Sequence, residues 1–279
     1  MKPRIDSHQH FWHYDPTKHV WMNEQMGVLK TDYLPTELEP LLNRCQLVGC
    51  VAVQANQAAV ENEFLLGLSD EHDFIKGVVG WVDLRAENVE ERLEYYQQFP
   101  KMKGFRHVLH DEPELDFMLQ PAFLNGVSKL KQFGYTYDIL IFEKHLSNTL
   151  TFIKNLPNQP FVIDHMAKPN LKTGDVNTWK KQLKEVAAFE NVYCKISGMV
   201  TEADWQNWQN EDFMRYLDAV VEVFGTNRIM YGSDWPVCTL AATYQQQYDI
   251  VKDYFSNFSQ IEQDCFFGEN AIRFYHLIG

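Results

Sequence analysis

The stretch Ile-Asp-Ser-His-Gln-His-Phe-Trp, residues 5–12, carries two histidines separated by one residue near the start of the chain. Side chains of a β-strand alternate between its faces, so Asp6, His8 and His10 point the same way if this stretch is extended. The two histidine Cα atoms are then about 7 Å apart, close enough for both imidazoles to bind one metal ion. A pair of surface or capping histidines fits the motif equally well. Ligands arriving from elsewhere in the chain would decide between these two interpretations.

Composition excludes several classes of protein. The net charge of −13, without any run of Lys and Arg, argues against nucleic acid or an anionic membrane surface as a partner. No apolar run approaches the ~20 residues of a membrane span. Five scattered cysteines without a Cys-x-x-Cys pair predict reduced thiols, and no signal peptide precedes the histidine pair, so we expect a cytoplasmic protein.

Eight β-rich runs recur along the chain, most of them continuously apolar as expected for strands covered on both faces. These runs are Arg4–His8, Leu47–Gln54, Ile75–Val82, Lys103–Val108, Tyr135–Ile141, Pro160–His165, Val192–Ser197 and Arg228–Ser233. Amphipathic segments that predict helices separate them, namely Pro35–Arg44, Ala58–Asp70, Val89–Phe99, Pro121–Phe133, Lys144–Asn155, Thr178–Phe189, Asp212–Phe224 and Thr243–Asn257, with a closing helix at Phe267–Leu277. Pro121 suits a first helical turn, and Gly134 and Gly225 suit C-terminal caps.

This alternation predicts an α/β fold, a (β/α)8 TIM barrel that forms a single domain over residues 1–279. A doubly wound open sheet is the alternative, although no Gly-x-Gly-x-x-Gly motif follows a strand. The segment His13–Tyr33 matches neither helix nor strand and is rich in aromatic residues. We predict that it forms a lid or wall over the barrel mouth, the alternative being an insertion packed on the outside. The histidines off the strand ends, His13, His19, His72 and His145, are expected at the surface.

Residues at the C-terminal ends of barrel strands form the active site in this fold, and every predicted strand ends in polar or ionisable residues. His8 and His10 end the first strand, His165 follows the sixth and Asp234 follows the eighth. Three imidazoles and one carboxylate suit a single Zn²⁺-like ion with an open position. Asp234 and His165 are also the predicted catalytic residues. The alternatives are a helix cap for Asp234 and a hydrogen-bonded barrel histidine for His165.

Other strand ends predict substrate-binding residues. We expect Gln54, Arg106, His107 and Asp138 to bind polar groups of a substrate, although Arg106 would also suit a structural ion pair. Trp81 and Trp235 would form an aromatic wall, which suits a sugar-like ring but is also common in a hydrophobic core.

Six segments together resemble the amidohydrolase superfamily (amidohydrolase-related family 2), and more narrowly its sugar-lactonase branch of L-fuconolactonase-like and L-rhamnonolactonase-like hydrolases. They are Ile5–Trp12, Lys103–Leu109, Phe161–Pro169, Cys194–Met199, Arg228–Pro236 and Gly268–Tyr275. The resemblance covers almost the whole chain. It implies a metal-dependent TIM-barrel hydrolase of carbohydrate metabolism that opens a neutral, small-molecule sugar lactone to the aldonate.

The resemblance also implies at most one divalent metal, Zn²⁺ above all. Binuclear relatives bridge two metals with a lysine or glutamate at the end of strand four, where this chain has Arg106 and His107. Some lactonases of the branch work without a metal, so a metal-free reaction stays open. Further alternatives are a decarboxylase of the same superfamily, a hydrolase of a dicarboxylate lactone and a barrel that only binds its ligand. A homo-oligomer is compatible with the sequence.

Overall fold

A computed structural model describes residues 2–172 and 174–277 and contains one sheet of eight parallel strands. The strands are β1 (Ile5–Gln9), β2 (Gly49–Val53), β3 (Ile75–Gly80), β4 (Met102–Val108), β5 (Thr136–Leu140), β6 (Phe161–Ile163), β7 (Val192–Ile196) and β8 (Ile229–Tyr231). They pair in sequence order from β1 to β8. An isolated bridge between Gln9 of β1 and Trp235, in the segment after β8, then joins this end of the sheet to the first strand. The sheet is therefore a nearly closed barrel, which confirms the predicted TIM-barrel fold.

Helices connect the strands and cover the outside of the barrel. They are α1 (Pro35–Arg44), α2 (Ala59–Glu71), α3 (Val89–Tyr96), α4 (Pro121–Leu130), α5 (Leu146–Asn155), α6 (Val176–Ala187), α7 (Met199–Glu202), α8 (Asn210–Phe224), α9 (Tyr244–Phe255), α10 (Gln260–Asp264) and α11 (Asn270–Tyr275). Pro121 begins α4 as predicted, and Gly134 and Gly225 follow their helices with φ of 81° and 67°. The short helices α7 and α10 were not predicted.

The closing helix differs from its prediction because a π-helical turn, Cys265–Glu269, precedes α11. Phe274 and Tyr275 of α11 pack with Ile5, Val51 and Met230 of three strands. The C-terminal helix therefore packs against buried side chains of the barrel strands.

β6 and β8 are shorter than predicted because the chain leaves the extended conformation directly after them. Four consecutive residues after β6, from His165 to Lys168, have φ between 46° and 62°, and Asp234 after β8 has φ of 57°. A left-handed conformation costs an L-residue about 1–2 kcal/mol. Two predicted site residues therefore occupy unfavourable backbone conformations that the surrounding structure must hold.

The segment 13–33 packs beside the barrel mouth, next to the loop that follows β8. Trp12 pairs with Tyr33 as an isolated bridge, and the Tyr33 ring lies 5.2 Å from the Trp235 ring. Met22 and Leu29 are buried against Trp12. This placement agrees with the predicted wall.

Two histidines predicted at the surface are buried. His19 is 3% exposed because it packs on Trp12 and contacts the Asn56 amide, and His145 is 1% exposed. Among the described residues, no helix combines the length and the apolar character that a membrane crossing requires.

Candidate active site

His10 is oriented by the neighbouring strand. Its Nδ1 lies 2.8 Å from the Val53 carbonyl oxygen, which can only accept a hydrogen bond. The neutral ring therefore carries its proton on Nδ1 and its lone pair on Nε2. That Nε2 lies 3.3 Å from Oδ1 of Asp234.

His8 and His165 direct their Nε2 atoms at the same carboxylate oxygen, at 3.8 and 3.9 Å. The His165 Nδ1 lies 2.8 Å from the Ser197 hydroxyl, which can accept its proton and leave Nε2 free. The ring centroids of His8 and His165 are 4.4 Å apart. The four predicted metal ligands, His8 in β1 and the others just after β1, β6 and β8, are therefore neighbours around Oδ1 of Asp234.

These donors fit a divalent metal. Ligand atoms about 2.0–2.1 Å from a tetrahedral zinc ion are ~3.3–3.4 Å from one another. The distances from the three histidine Nε2 atoms to Oδ1 of Asp234 run from 3.3 to 3.9 Å. An imidazole lone pair facing a carboxylate oxygen in a buried site is repulsive unless a proton or a metal cation lies between them. His8, His10 and Asp234 form one group with metal-ligand spacing, and His8, Asp164 and His165 form a second.

Burial keeps two of these imidazoles uncharged. It lowers the pKa of His8 well below its ordinary value, helped by the positive charge of Lys195. It lowers the pKa of His165 likewise, helped by His8. A neutral imidazole is the form that binds metal.

Arg106 lies on the floor of the site and is almost fully buried. Its Nη1 donates to Oδ2 of Asp164 at 3.1 Å and lies 3.2 Å from Nε2 of His8, and its Nη2 donates to the Gln54 carbonyl oxygen. Gln54 in turn donates to the Arg106 carbonyl at 3.4 Å. The side-chain oxygen of Gln54 is buried and has no hydrogen-bond partner within the described part of the chain. Arg106 therefore forms an ion pair with Asp164, which was one of the two roles considered for it, and it also contacts His8, a predicted metal ligand.

His107 and Trp81 are joined at the end of β4 and β3. The Trp81 indole donates to Nδ1 of His107 at 3.3 Å, so Nε2 carries the proton and donates to Glu112 at 2.6 Å. His107 also stacks on Phe117, with 5.0 Å between ring centroids. Both nitrogens of His107 are therefore occupied, and the role of this pair in substrate binding remains a prediction.

Two predicted substrate-binding residues are buried. Asp138 is fully buried, and its Oδ2 accepts hydrogen bonds from Lys195 at 2.6 Å and from the Tyr275 hydroxyl at 2.7 Å. Its Oδ2 is thus paired inside the barrel, and its contact with a substrate remains a prediction. Trp235 is 3% exposed and packs between Phe11 and Tyr33, so its ring belongs to the wall of the mouth.

Sequence reasoning did not assign roles to several residues that hold the ligands. Asp164 directly precedes His165, Lys195 lies near the end of β7 and Ser197 directly follows it, so their positions at strand ends were visible. Burial raises the pKa of an isolated carboxyl, but Lys195, followed by His8, holds the pKa of Asp164 well below its ordinary value. No local sequence signal could have connected Tyr275, in the last helix, to Asp138 in β5.

The sequence model of the amidohydrolase family matches residues 5–277. The chain belongs to the amidohydrolase family. An L-fucono-1,5-lactonase of Burkholderia multivorans is 40% identical over 285 residues, which cover 98% of this chain and 96% of that protein. A second L-fucono-1,5-lactonase, from Burkholderia ambifaria, is 32% identical over 291 residues, covering 99% and 97% of the two chains.

A solved amidohydrolase structure from Burkholderia multivorans, with bound zinc, is similar in fold to this chain. It superposes with a TM-score of 0.96 at 40% identity and covers 99% of this chain and all of its own. The resemblance to the amidohydrolases that the sequence motifs suggested is therefore confirmed. The groups of histidines and aspartates in the present chain are suited to a divalent metal ion.

Proposed function

We propose that this amidohydrolase opens neutral sugar lactones, such as L-fuconolactone or L-rhamnonolactone, to their aldonates. The observation that carries the proposal is the convergence of three imidazole Nε2 atoms on one oxygen of Asp234. The lactonase names of the two similar proteins, each matched over nearly its full length, support the substrate class.

Asp234 is the proposed general base. It takes a proton from the attacking water and returns it to the ring oxygen that leaves the lactone carbonyl. A zinc ion held by His8, His10, His165 and Asp234 would polarise the carbonyl and lower the pKa of the water. Arg106 places a fixed positive charge beside this group, where the carbonyl oxygen gains negative charge.

Charge pairing at the strand ends favours a neutral polyol over a dicarboxylate lactone. Arg106 pairs with Asp164, and Lys195 pairs with Asp138 and Asp164. Lys168, nearer the surface, lies 3.2 Å from Glu202. A dicarboxylate would have to break these pairs to gain a cationic partner.

A panel of L- and D-aldonolactones, followed by acid release at constant pH, tests the proposal. We expect turnover by the wild type and a loss of about 10²–10⁴-fold in kcat for Asp234→Asn, because general acid–base groups contribute that much. Asp83→Asn is the control, since this exposed carboxylate bonds to Arg85 instead of the metal ligands. Full activity of Asp234→Asn would refute the assignment of the base.

Two other outcomes would refute the proposed function itself. Release of carbon dioxide without lactone opening would identify a decarboxylase. Binding of lactones without any turnover would identify a barrel that only binds its ligand.

A further inference from the structure

A group of buried charged side chains lies directly below the predicted metal ligands. It consists of Asp138, Asp164, Lys195 and the hydroxyl of Tyr275, and all four residues are at most 1% exposed. Lys195 Nζ lies 2.6 Å from Oδ2 of Asp138 and 3.0 Å from Oδ1 of Asp164. We call these four residues the buried charge cluster. Burial of charged groups costs free energy unless they are paired. Lys195 pairs with both carboxylates, and this pairing fixes where the three side chains lie.

His8 connects this cluster to the site. Its Nδ1 lies 3.1 Å from Nζ of Lys195 and 3.3 Å from Oδ1 of Asp164. Its Nε2 lies 3.2 Å from Nη1 of Arg106 and 3.8 Å from Oδ1 of Asp234. A neutral imidazole has one N–H and one lone pair, so it cannot accept from Lys195 and Arg106 at the same time.

The position of Arg106 decides which nitrogen keeps the lone pair. A guanidinium is always protonated and can only donate, so Nε2 of His8 must accept and the proton belongs on Nδ1. An N–H at Nδ1 needs an acceptor, which Lys195 cannot provide. Oδ1 of Asp164 is buried and within reach; it already lies 3.0 Å from Nζ of Lys195, and its second lone pair can accept from Nδ1.

We propose that Asp164 is a positioning residue that holds His8 in the Nδ1–H tautomer, so that Nε2 keeps the lone pair that a metal ion would take over from Arg106. Lys195 pairs with both carboxylates and keeps Asp164 beside the ring, but it also competes for Nδ1. Without Asp164, Arg106 also loses the carboxylate that holds its Nη1 beside Nε2, so Nδ1 can accept from Lys195 and the proton moves to Nε2. The inference rests on the metal-bearing site of the proposed function.

The tautomer of His8 can be read in the metal-free protein, by nitrogen NMR of isotope-labelled histidine. The signal is assigned by its loss in His8→Gln. We expect the wild type to carry the proton on Nδ1 and Asp164→Ala to carry it on Nε2. Zinc affinity of Asp164→Ala, measured by competition with a chelating dye, should fall by about 10–100-fold, as is typical when a partner of a metal-binding histidine is lost.

Tyr275→Phe is the matched control. The substitution removes the hydrogen bond from the Tyr275 hydroxyl to Asp138 in the same cluster. In the wild type this hydroxyl bonds to Asp138 and not to His8. We expect the tautomer and the zinc affinity of Tyr275→Phe to equal those of the wild type.

A proton on Nε2 of wild-type His8 would overturn the inference, and this result does not depend on the folding of any variant. Equal zinc affinity of Asp164→Ala and wild type would overturn it as well. Both measurements use no substrate, so their results do not decide whether the protein hydrolyses lactones. Absence of lactone turnover would instead refute the proposed function and leave the tautomer standing.

Discussion

Gly198, which follows β7, lies close to His165, so substitution of this glycine should affect both the backbone and the site. Its φ is 62°, and a Cβ added there would lie 2.7 Å from Nδ1 of His165. Ordinary contact begins at 3.4 Å, so in Gly198→Ala the His165 ring must move by about 0.7 Å or the backbone must give way. The left-handed backbone adds a cost of about 1–2 kcal/mol to the free energy of folding.

A displacement of this size removes His165 from the point where the ligands meet. Misplacement by ~1 Å can reduce the rate about 100-fold, so we expect Gly198→Ala to lose about 10²-fold in kcat/KM. The displaced ring also moves from the Ser197 hydroxyl, which lies 2.8 Å from Nδ1. Lactone hydrolysis and urea unfolding of the same preparation measure the two effects.

Gly134→Ala provides the control. Gly134 also has a left-handed backbone, with φ of 81°, but an added Cβ would meet nothing within 4 Å. We expect a similar loss of stability from the backbone and full activity. Equal activity of both variants would refute the reasoning that the close approach of Gly198 to His165 positions the ring.

Three further predictions concern ionisation, ligand support and the metal. Burial raises the pKa of Glu61 to about 7 from 4.5, so the folded state holds a proton that the unfolded state has lost, and stability should fall as pH rises between these values. Glu61→Gln should remove that part of the slope in urea unfolding. Ser197→Ala removes the partner of His165 Nδ1 and should weaken zinc binding about 10-fold or more, measured by chelator competition. Chelator treatment should abolish lactone hydrolysis and lower the melting temperature, and added zinc should restore both, because a ligand of the folded state alone stabilises it.

Each of these predictions can fail. An identical pH slope in Glu61→Gln would mean that this carboxyl ionises normally. Unchanged zinc affinity in Ser197→Ala would mean that Ser197 does not orient His165. A hydrolysis rate that withstands the chelator would favour the metal-free alternative.

The barrel could be predicted from the sequence because its signals are local. Each strand is a short apolar run followed by an amphipathic helix, and Pro121 and Gly134 mark helix ends by their own backbone preferences. The lengths of β6 and β8 could not be predicted, because the left-handed turns at His165 and Asp234 are imposed by tertiary contacts. A hydrogen bond from Asp234 N to the His8 carbonyl, at 2.8 Å, is one of them.

The candidate ligands could be predicted because the barrel fold assigns chemistry to the strand ends. The residues below them could not, since a strand end does not reveal how deep a side chain lies. The depth of Asp138, whose carboxylate accepts hydrogen bonds from Lys195 and Tyr275, could therefore not be predicted. His19 looked exposed because aromatic packing by the segment 13–33 is not visible in a local pattern.

In the proposed reaction, a water activated by Asp234 attacks the carbonyl carbon of a sugar lactone. Hydrolysis of L-fucono-1,5-lactone in water enriched in the heavy oxygen isotope, followed by mass spectrometry of the aldonate, shows which bond breaks. We expect one heavy oxygen in the carboxylate and none in the new hydroxyl, because the bond between the carbonyl carbon and the ring oxygen breaks. Label in the hydroxyl, or no aldonate at all, would contradict it.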